Sequence, residues 1–202
     1  MTGLDDPLEY EFSLSPNRLS GADSYVTSFK GSARGWDDEA GEERQAGSIR
    51  GQRIDLAAAR GDGIDRVELL ESISPEIADF AAQMLDGDGH CPAGIPLEGL
   101  STQGGLCDCL VYIESIEVEQ ELRGQQVGTE LIRRCAELLD IHRCLIGLKA
   151  FPISNQPGVG RSDAEIQRVK HFYERLGFAH GAGEFMVKNA ALCKSTARPP
   201  QD

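Results

Sequence analysis

Two glycines mark the stretch of this sequence with the clearest capacity for chemistry, ELRGQQVGTELIRRC, which runs from Glu121 to Cys135. Gly124 and Gly128 lie four residues apart, and an apolar stripe of helical period begins directly after them. A helix N-terminus carries unpaired backbone N–H groups and a partial positive charge, and phosphates bind there when no side chain blocks their approach. Glycine lacks a Cβ and tolerates positive φ, so it lets a loop turn its amides inward around an anion. With Arg123 adding a cation, the segment could bind a pyrophosphate.

The spacing of these glycines excludes two common phosphate-binding motifs. A P-loop requires Gly-Lys-Ser/Thr, whereas Thr129 follows Gly128 without a lysine. A dinucleotide-binding turn requires G-x-G-x-x-G, and only G-x-x-x-G is present. On local spacing alone two interpretations stay open, a phosphate-binding loop and a loop whose glycines serve packing only.

The elements around this loop alternate between strands and helices. The run LCDCLVYIESIEV predicts a long strand, CLIGLKAF a short apolar strand, and the stripe between them a helix. DAEIQRVKHFYERLGF predicts a second amphipathic helix with Gly177 at its C-terminal end, and GEFMVKN predicts a final strand. Because a helix joins the first two strands, we expect them to be parallel.

The first half of the chain has a weaker pattern. SIRGQRIDLAAAR and DRVELLESI are interpreted as two strands separated by a GDG turn. Ser74, Pro75 and Glu76 suit the start of a helix, which the apolar stripe from Ile77 to Leu85 continues. Residues 21–47 are rich in Gly, Ser, Asp and Glu, which predicts a loop or mobile segment.

The series YIESIEVEQELRGQQVGTELI, then an apolar strand, then HFYERLGF resembles the GNAT superfamily of N-acetyltransferases. In that family the pattern R/Q-x-x-G-x-G/A follows a long strand and binds the pyrophosphate of acetyl-CoA through backbone amides. Arg123, Val127 and Gly128 match the pattern, Gln126 stands where its first glycine usually lies, and Gly124 fills a common extra position. The resemblance covers residues 106–188 approximately. It implies an α+β, or mixed α/β, fold in which helices flank a central mixed and splayed β-sheet.

The resemblance also implies a site for acetyl-CoA as co-substrate. Backbone amides at the start of the helix are expected to bind the pyrophosphate, provided that Gln126 keeps a negative φ. The pantetheine arm would bond to backbone groups around Ile116 and Val118, where the strand diverges from its parallel neighbour. The implied cofactor-binding set is Ile116, Val118, Arg123, Gly124, Gln125, Gln126, Val127, Gly128 and Thr129.

Two residues are candidates for catalysis of acetyl transfer to an amine, which requires a proton acceptor and a proton source for the leaving thiolate. Glu114 lies where polyamine-type members of the family can carry a glutamate base, and it fits an ordinary strand-surface glutamate equally well. Tyr173 matches the tyrosine of the family's FYEKLGF pattern, which can protonate the thiolate, and it also fits a core aromatic. Without a bulge, Glu114 and Glu117 should face opposite sides of the sheet.

Composition restricts the partners and the location. The formal charge of −13 opposes binding to nucleic acid or anionic membranes and favours cationic partners, although it also fits a surface kept soluble by charge. No run has the length of a membrane span and no secretory signal is visible, so a cytoplasmic location is expected. Because no secretory signal is visible, no disulfides are expected among the 6 cysteines. No C-x-x-C pair and no H-x-x-x-H pair exists, so no metal site is expected. Cys107 and Cys109 are expected to share one face of a strand.

The sequence thus predicts three segments. These are an N-terminal strand with an acidic Gly/Ser-rich segment at 1–47, a GNAT-like acyltransferase domain at 48–190, and a tail at 191–202. The predicted function is acetyl-CoA-dependent N-acetylation of a small, cationic amine by direct attack, without a metal, a nucleic-acid partner or a membrane partner. A homodimer is left open. The alternative is a GNAT-like module that binds CoA or a protein without turnover.

Overall fold

A single mixed β-sheet of seven strands organises the computed structural model, which describes residues 7–16, 22–37, 40–85, 107–139, 144–152 and 162–189. The spatial order is β1-β2-β3-β4-β5-β7-β6, and only β4 and β5 are parallel neighbours. The strands are β1 (Glu9–Pro16), β2 (Val26–Asp37), β3 (Glu42–Asp55), β4 (Cys109–Val118), β5 (Leu145–Lys149), β6 (Ala179–His180) and β7 (Phe185–Asn189). The α-helices are α1 (Leu56–Gly61), α2 (Arg66–Ile73), α3 (Pro75–Met84), α4 (Val127–Leu138) and α5 (Asp163–Arg175). The predicted class, a mixed sheet flanked by helices, is confirmed.

The first three strands form an antiparallel meander. The loop predicted over 21–47 is therefore wrong, because β2 occupies residues 26–37 and β3 begins at Glu42. Phe29, Ala33 and Ile49 alternate with polar residues and are buried on one face of the meander. The segment boundary suggested between 47 and 48 falls inside β3, so the chain on either side of it belongs to one sheet. The tail at 191–202 lies outside the described residues.

Two short helices stand where the sequence suggested a hairpin around the GDG turn. The strand prediction holds up to Asp55, after which α1 and α2 follow in place of strands. The Asp55 carboxylate accepts a hydrogen bond from Ala58 N at 2.8 Å, and the Asp65 carboxylate accepts one from Glu68 N at 3.0 Å. Each aspartate satisfies a free N–H of the first turn, and these two caps start the helices.

Helix α3 begins where it was predicted to begin. Ser74 is its N-cap, and the Ser74 hydroxyl accepts a hydrogen bond from Ile77 N at 3.1 Å. Pro75 occupies the first turn, where its missing N–H costs nothing. The helix ends at Met84, and the buried stripe includes its C-cap residue, Leu85.

The second half of the chain follows the predicted series of strand, helix, strand, helix and strand. β4 and β5 are parallel, as expected, but they pair only from Leu110 opposite Leu145 to Ile113 opposite Leu148. β4 continues for five further residues to Val118. Among the described strands, this end of β4 pairs with β3 alone, so the two parallel strands part beyond Ile113.

Each face of the sheet carries its own core. Helices α4 and α5 cover one side, the α4 face, with Val111 and Leu131 in its core. Helices α1, α2 and α3 cover the other side, the α3 face, with Phe80 in its core. Cys109 belongs to the α4 face and Cys107 to the α3 face, so the prediction that they share a face is wrong. Cys107 precedes the first residue of β4, where strand alternation does not yet apply. None of the helices described is both long and apolar enough to span a membrane.

Candidate functional site

The loop before α4 adopts a left-handed backbone at a residue that is not glycine. Gln126, the N-cap of α4, has φ 66° and ψ 5°, and it is the only non-glycine residue with positive φ in the described chain. The condition that Gln126 should keep a negative φ is thus wrong. Gly124, two residues earlier, has φ 85°. A left-handed residue followed by a helical one turns consecutive N–H groups inward, which is the backbone arrangement of an anion-binding nest.

Four backbone amides at this helix end have no partner among the described residues. The N–H groups of residues 126–129 donate to none of them, and no side chain caps the helix. Gln125 differs, because its N–H donates to the Leu122 carbonyl at 3.2 Å and is therefore engaged. Of the amides expected to bind a pyrophosphate, Gln126, Val127 and Gly128 are available, and Thr129 adds one more.

Gly128 lies where α4, α5 and the end of β4 meet. A Cβ placed on Gly128 would stand 3.3 Å from Phe172 Cζ, 3.5 Å from Val118 Cγ2 and 3.8 Å from Ile116 Cγ2. The first contact is tighter than ordinary packing, so the close approach of α5 to α4 depends on this glycine. The structure thus brings together Ile116, Val118 and Gly128, three members of the predicted cofactor set.

Arg123 ties the loop to the open end of β4. Its Nε donates a hydrogen bond to the Val118 carbonyl at 3.1 Å. That carbonyl belongs to the part of β4 that has no partner in β5. The free amides, the arginine and the unpaired strand edge consequently lie at one end of the opening between the parallel strands.

Ion pairs compensate the acidic residues around this opening. Glu121 pairs with Arg44 at 2.8 Å, and Glu130 pairs with Arg133 at 2.5 Å and with Arg134 at 2.7 Å. Hydrogen bonds from Arg133 and Arg134 lower the pKa of Glu130 to about 2. The local field at the start of α4 is therefore less negative than the net charge of the chain suggests.

Tyr173 reaches the α4 face from α5. Its ring is buried, with centroids 5.1 Å from Phe172 and 5.6 Å from Phe178. Burial raises the pKa of Tyr173 to about 12. Its hydroxyl hydrogen-bonds to no described residue.

A β-bulge places Glu114 at the point where β4 and β5 part. Ser115 pairs with Arg50 and Ile113 pairs with Gly51, which leaves Glu114 as the extra residue. The prediction that Glu114 and Glu117 face opposite sides assumed no bulge and is wrong.

Both glutamates lie on the α3 face. Glu114 contacts Gln52, which pairs with Tyr112 in the core of that face. Glu117 stands between Ile116 and Val118, which pack on the α4 face, so its own side chain points to the other side.

Sequence reasoning missed the residues that hold Glu114 in place. Gln52 Nε2 donates to Glu114 Oε1 at 3.1 Å, and Arg50 Nε lies 3.6 Å from Glu114 Oε2. Ser28 extends this network, since its hydroxyl donates to Gln52 Oε1 at 2.9 Å. The available signal was the alternation of polar residues at 48, 50 and 52 in β3. Within the described residues no group of three or more His, Cys, Asp or Glu side chains could hold a metal ion.

Replacing Gln126 with glycine should stabilise the fold while keeping the loop geometry. A side chain at positive φ costs about 1 kcal/mol or more, and the extra freedom of glycine in the unfolded chain offsets part of that gain. We expect the free energy of unfolding to rise by about 0.5–1 kcal/mol in Gln126→Gly, measured by urea titration. Gln125→Gly is the matched control, because Gln125 has negative φ and the change should destabilise the protein. Equal effects of the two variants would contradict the left-handed assignment.

Comparison with known proteins finds similarity at the level of structure only. No family model matches the sequence, and no curated protein matches it. A crystal structure of a point mutant of KacT has 10% identity and a TM-score of 0.38, over 82% of this chain and 72% of that one. Arabidopsis thaliana NAA60 in complex with a bisubstrate analogue has 15% identity and a TM-score of 0.38, over 81% and 76%. A KacTA–DNA complex has 8% identity and a TM-score of 0.41, over 90% and 94%.

The third structure corrects one expectation from composition. The expected absence of nucleic-acid partners is contradicted, since the similar structures include a KacTA–DNA complex, and no partner of this chain follows from that similarity. With identities of at most 15% and TM-scores below 0.5, these similarities assign no activity, substrate or partner to this chain.

Proposed function

We propose that this chain is an acetyl-CoA-dependent N-acetyltransferase of GNAT type that acts on a small amine. The observation that supports this most is the set of free amides behind left-handed Gln126, at the end where β4 and β5 part. Glu114 and Tyr173 flank that end from opposite faces of the sheet. Any helix N-terminus has free amides, but a loop that serves packing alone does not need a glutamine at positive φ, and strain of this kind is concentrated at functional sites.

In this proposal the chain holds acetyl-CoA, which supplies the thioester, by its phosphates and its pantetheine arm. The amides of Gln126, Val127, Gly128 and Thr129 donate to the pyrophosphate. The unpaired edge of β4 around Ile116 offers hydrogen bonds to an extended arm, as a strand edge does for an added strand.

Proton handling is divided between the two faces. Glu114, with its carboxylate oriented by Gln52 and Arg50, accepts a proton from the attacking ammonium directly or through one water. Tyr173 donates a hydrogen bond to the sulfur that leaves. Both roles are proposals that rest on geometry and on the family resemblance.

The acceptor approaches from the α3 face, where Glu114 and Glu117 project. Glu76 also lies on this side and accepts a hydrogen bond from the Tyr112 hydroxyl at 2.8 Å. Three carboxylates on one surface favour an amine that is positively charged before it reacts. This local arrangement supports a cationic acceptor more directly than the overall charge does.

Calorimetric titration of acetyl-CoA into the full chain tests the cofactor site. Gln125→Glu adds a negative charge beside the free amides, so it should weaken binding by about fivefold to tenfold. The same charge at a helix N-terminus favours the helix dipole, so thermal stability should not fall. Gln167→Glu, an exposed change of the same kind in α5, should leave affinity unchanged. No binding to the unaltered chain, or equal weakening by both variants, would count against the site.

A second candidate function is a module of the same fold that binds CoA without turnover. The observation in its favour is Gln126, which stands in place of the family's first glycine. Release of free thiol from acetyl-CoA, measured with and without a panel of amines, separates the two. Amine-dependent release supports the enzyme, and binding without release supports the module.

A further inference from the structure

Two buried cysteines meet at the end of β4 and β5 opposite to the opening. The sulfur atoms of Cys144 and Cys109 lie 2.6 Å apart. Cys109 is the first residue of β4, and Cys144 immediately precedes β5. Leu110 pairs with Leu145, so each cysteine lies one residue before the first pair of this parallel ladder. Neighbouring strands lie about 4.8 Å apart, which is within the range of Cα separations that a disulfide spans.

Their surroundings combine burial with a nearby cation. Cys109 is 7% exposed and Cys144 is 2% exposed. The contact with Cys144, burial and the negative charge of Asp55 raise the pKa of Cys109, while the positive charge of Arg53 acts in the opposite direction. Arg53 Nε is fully enclosed without a hydrogen-bond partner among the described residues. The Cys109 thiol is therefore protonated and slow to react, and the Arg53 guanidinium favours whatever thiolate forms there.

We propose that Cys109 and Cys144 form a site of oxidative modification at which a peroxide produces a disulfide. The Cys109 sulfur, the more exposed of the two, attacks one peroxide oxygen; the O–O bond breaks, and sulfenic acid and water form. The Cys144 sulfur then attacks the Cys109 sulfur, the S–S bond forms, the S–O bond breaks, and a second water leaves. Two thiols and one hydrogen peroxide thus yield one disulfide and two waters.

The sequence offered no sign of this pair, because the two cysteines are 35 positions apart and belong to no motif. The cross-link would fasten together the two strands whose other ends diverge at the proposed cofactor site. It would also close a long loop of the unfolded chain, so we expect the midpoint of thermal unfolding to rise by roughly 5–10 °C on oxidation. The inference does not depend on the proposed acetyltransferase activity.

The test treats the folded full chain with hydrogen peroxide, blocks the remaining thiols, and maps non-reduced peptides by mass spectrometry. We expect a peptide pair linked through Cys109 and Cys144 in the wild type. The same link should form in Cys107→Ser and Cys135→Ser, which remove other buried thiols, and it should be absent in Cys109→Ser and Cys144→Ser. In Cys144→Ser, a dimedone adduct should appear at Cys109.

Two results would overturn the proposal. One is oxidation of Cys109 and Cys144 to sulfinic acids without the link between them. The other is a link that forms only after the chain is unfolded in urea, because the proposal requires the folded register to bring the thiols together.

Discussion

Replacing Glu114 with glutamine should lower kcat/KM for amine acetylation by about 10²–10⁴ at neutral pH, since general-base catalysis typically contributes that much. Glutamine has nearly the same shape, and its amide oxygen can still accept the hydrogen bond from Gln52. The exposed ion pair with Arg50 is lost, and pairs of this kind contribute about 1 kcal/mol or less to stability. A large loss of rate with a small loss of stability is therefore expected.

The pH dependence of the rate loss in Glu114→Gln distinguishes a general base from a residue with another role. An amine that has lost its own proton needs no carboxylate, so the deficit of Glu114→Gln should shrink as pH rises towards about 10. Glu117→Gln is the matched control, because Glu117 lies on the same face of the same strand, where its loss should weaken binding of the amine without a large fall in kcat. A loss of kcat/KM that stays constant with pH, or an equal loss in both variants, would show that Glu114 is an ordinary surface glutamate and not a base.

The second half of the fold could be predicted because its apolar pattern is local. Helices α4 and α5 each carry a buried stripe with an ordinary helical period, and the helix between β4 and β5 requires them to be parallel. The first half of the chain was predicted less well because several of its glycines lie inside strands, where they make room for neighbouring side chains. A Cβ on Gly31 would stand 2.3 Å from Phe12 Cε1, and one on Gly51 would stand 2.5 Å from Phe29 Cζ. A glycine that accommodates an aromatic ring from a neighbouring strand has the same sequence signature as a glycine in a loop.

The residues of the candidate site could likewise be predicted only where the signal lay within a single element. The positions of Gly128 and Tyr173 followed from motifs within single elements. The bulge at Glu114 did not, because it depends on the register between β3 and β4, which only tertiary packing sets. The left-handed conformation of Gln126 was also hidden, since glutamine rarely adopts it and the surrounding loop imposes it.

Replacing Tyr173 with phenylalanine should lower kcat by about 10–100-fold and leave acetyl-CoA affinity nearly unchanged, because a hydrogen bond to a charged group contributes about 1.5–3 kcal/mol. The ring contacts with Phe172 and Phe178 are preserved, so the fold should keep its stability. Whether Tyr173 transfers its proton or only donates a hydrogen bond depends on its pKa, which is about 12. A thiol has a pKa of about 8.5, so complete proton transfer from Tyr173 to the thiolate would be unfavourable by about 5 kcal/mol.

We therefore expect Tyr173 to stabilise the developing thiolate by a hydrogen bond rather than by complete proton transfer. Single-turnover rates at saturating acetyl-CoA measure this contribution without interference from product release. Tyr10→Phe, which removes the hydroxyl of a half-buried tyrosine in β1, is the control and should not change kcat. Activity could also fall at high pH with a pKa of about 9, and this fall could be absent in Tyr173→Phe. That result would show that the Tyr173 hydroxyl ionises far more easily than its burial allows. An unchanged kcat would show that Tyr173 only packs in the core.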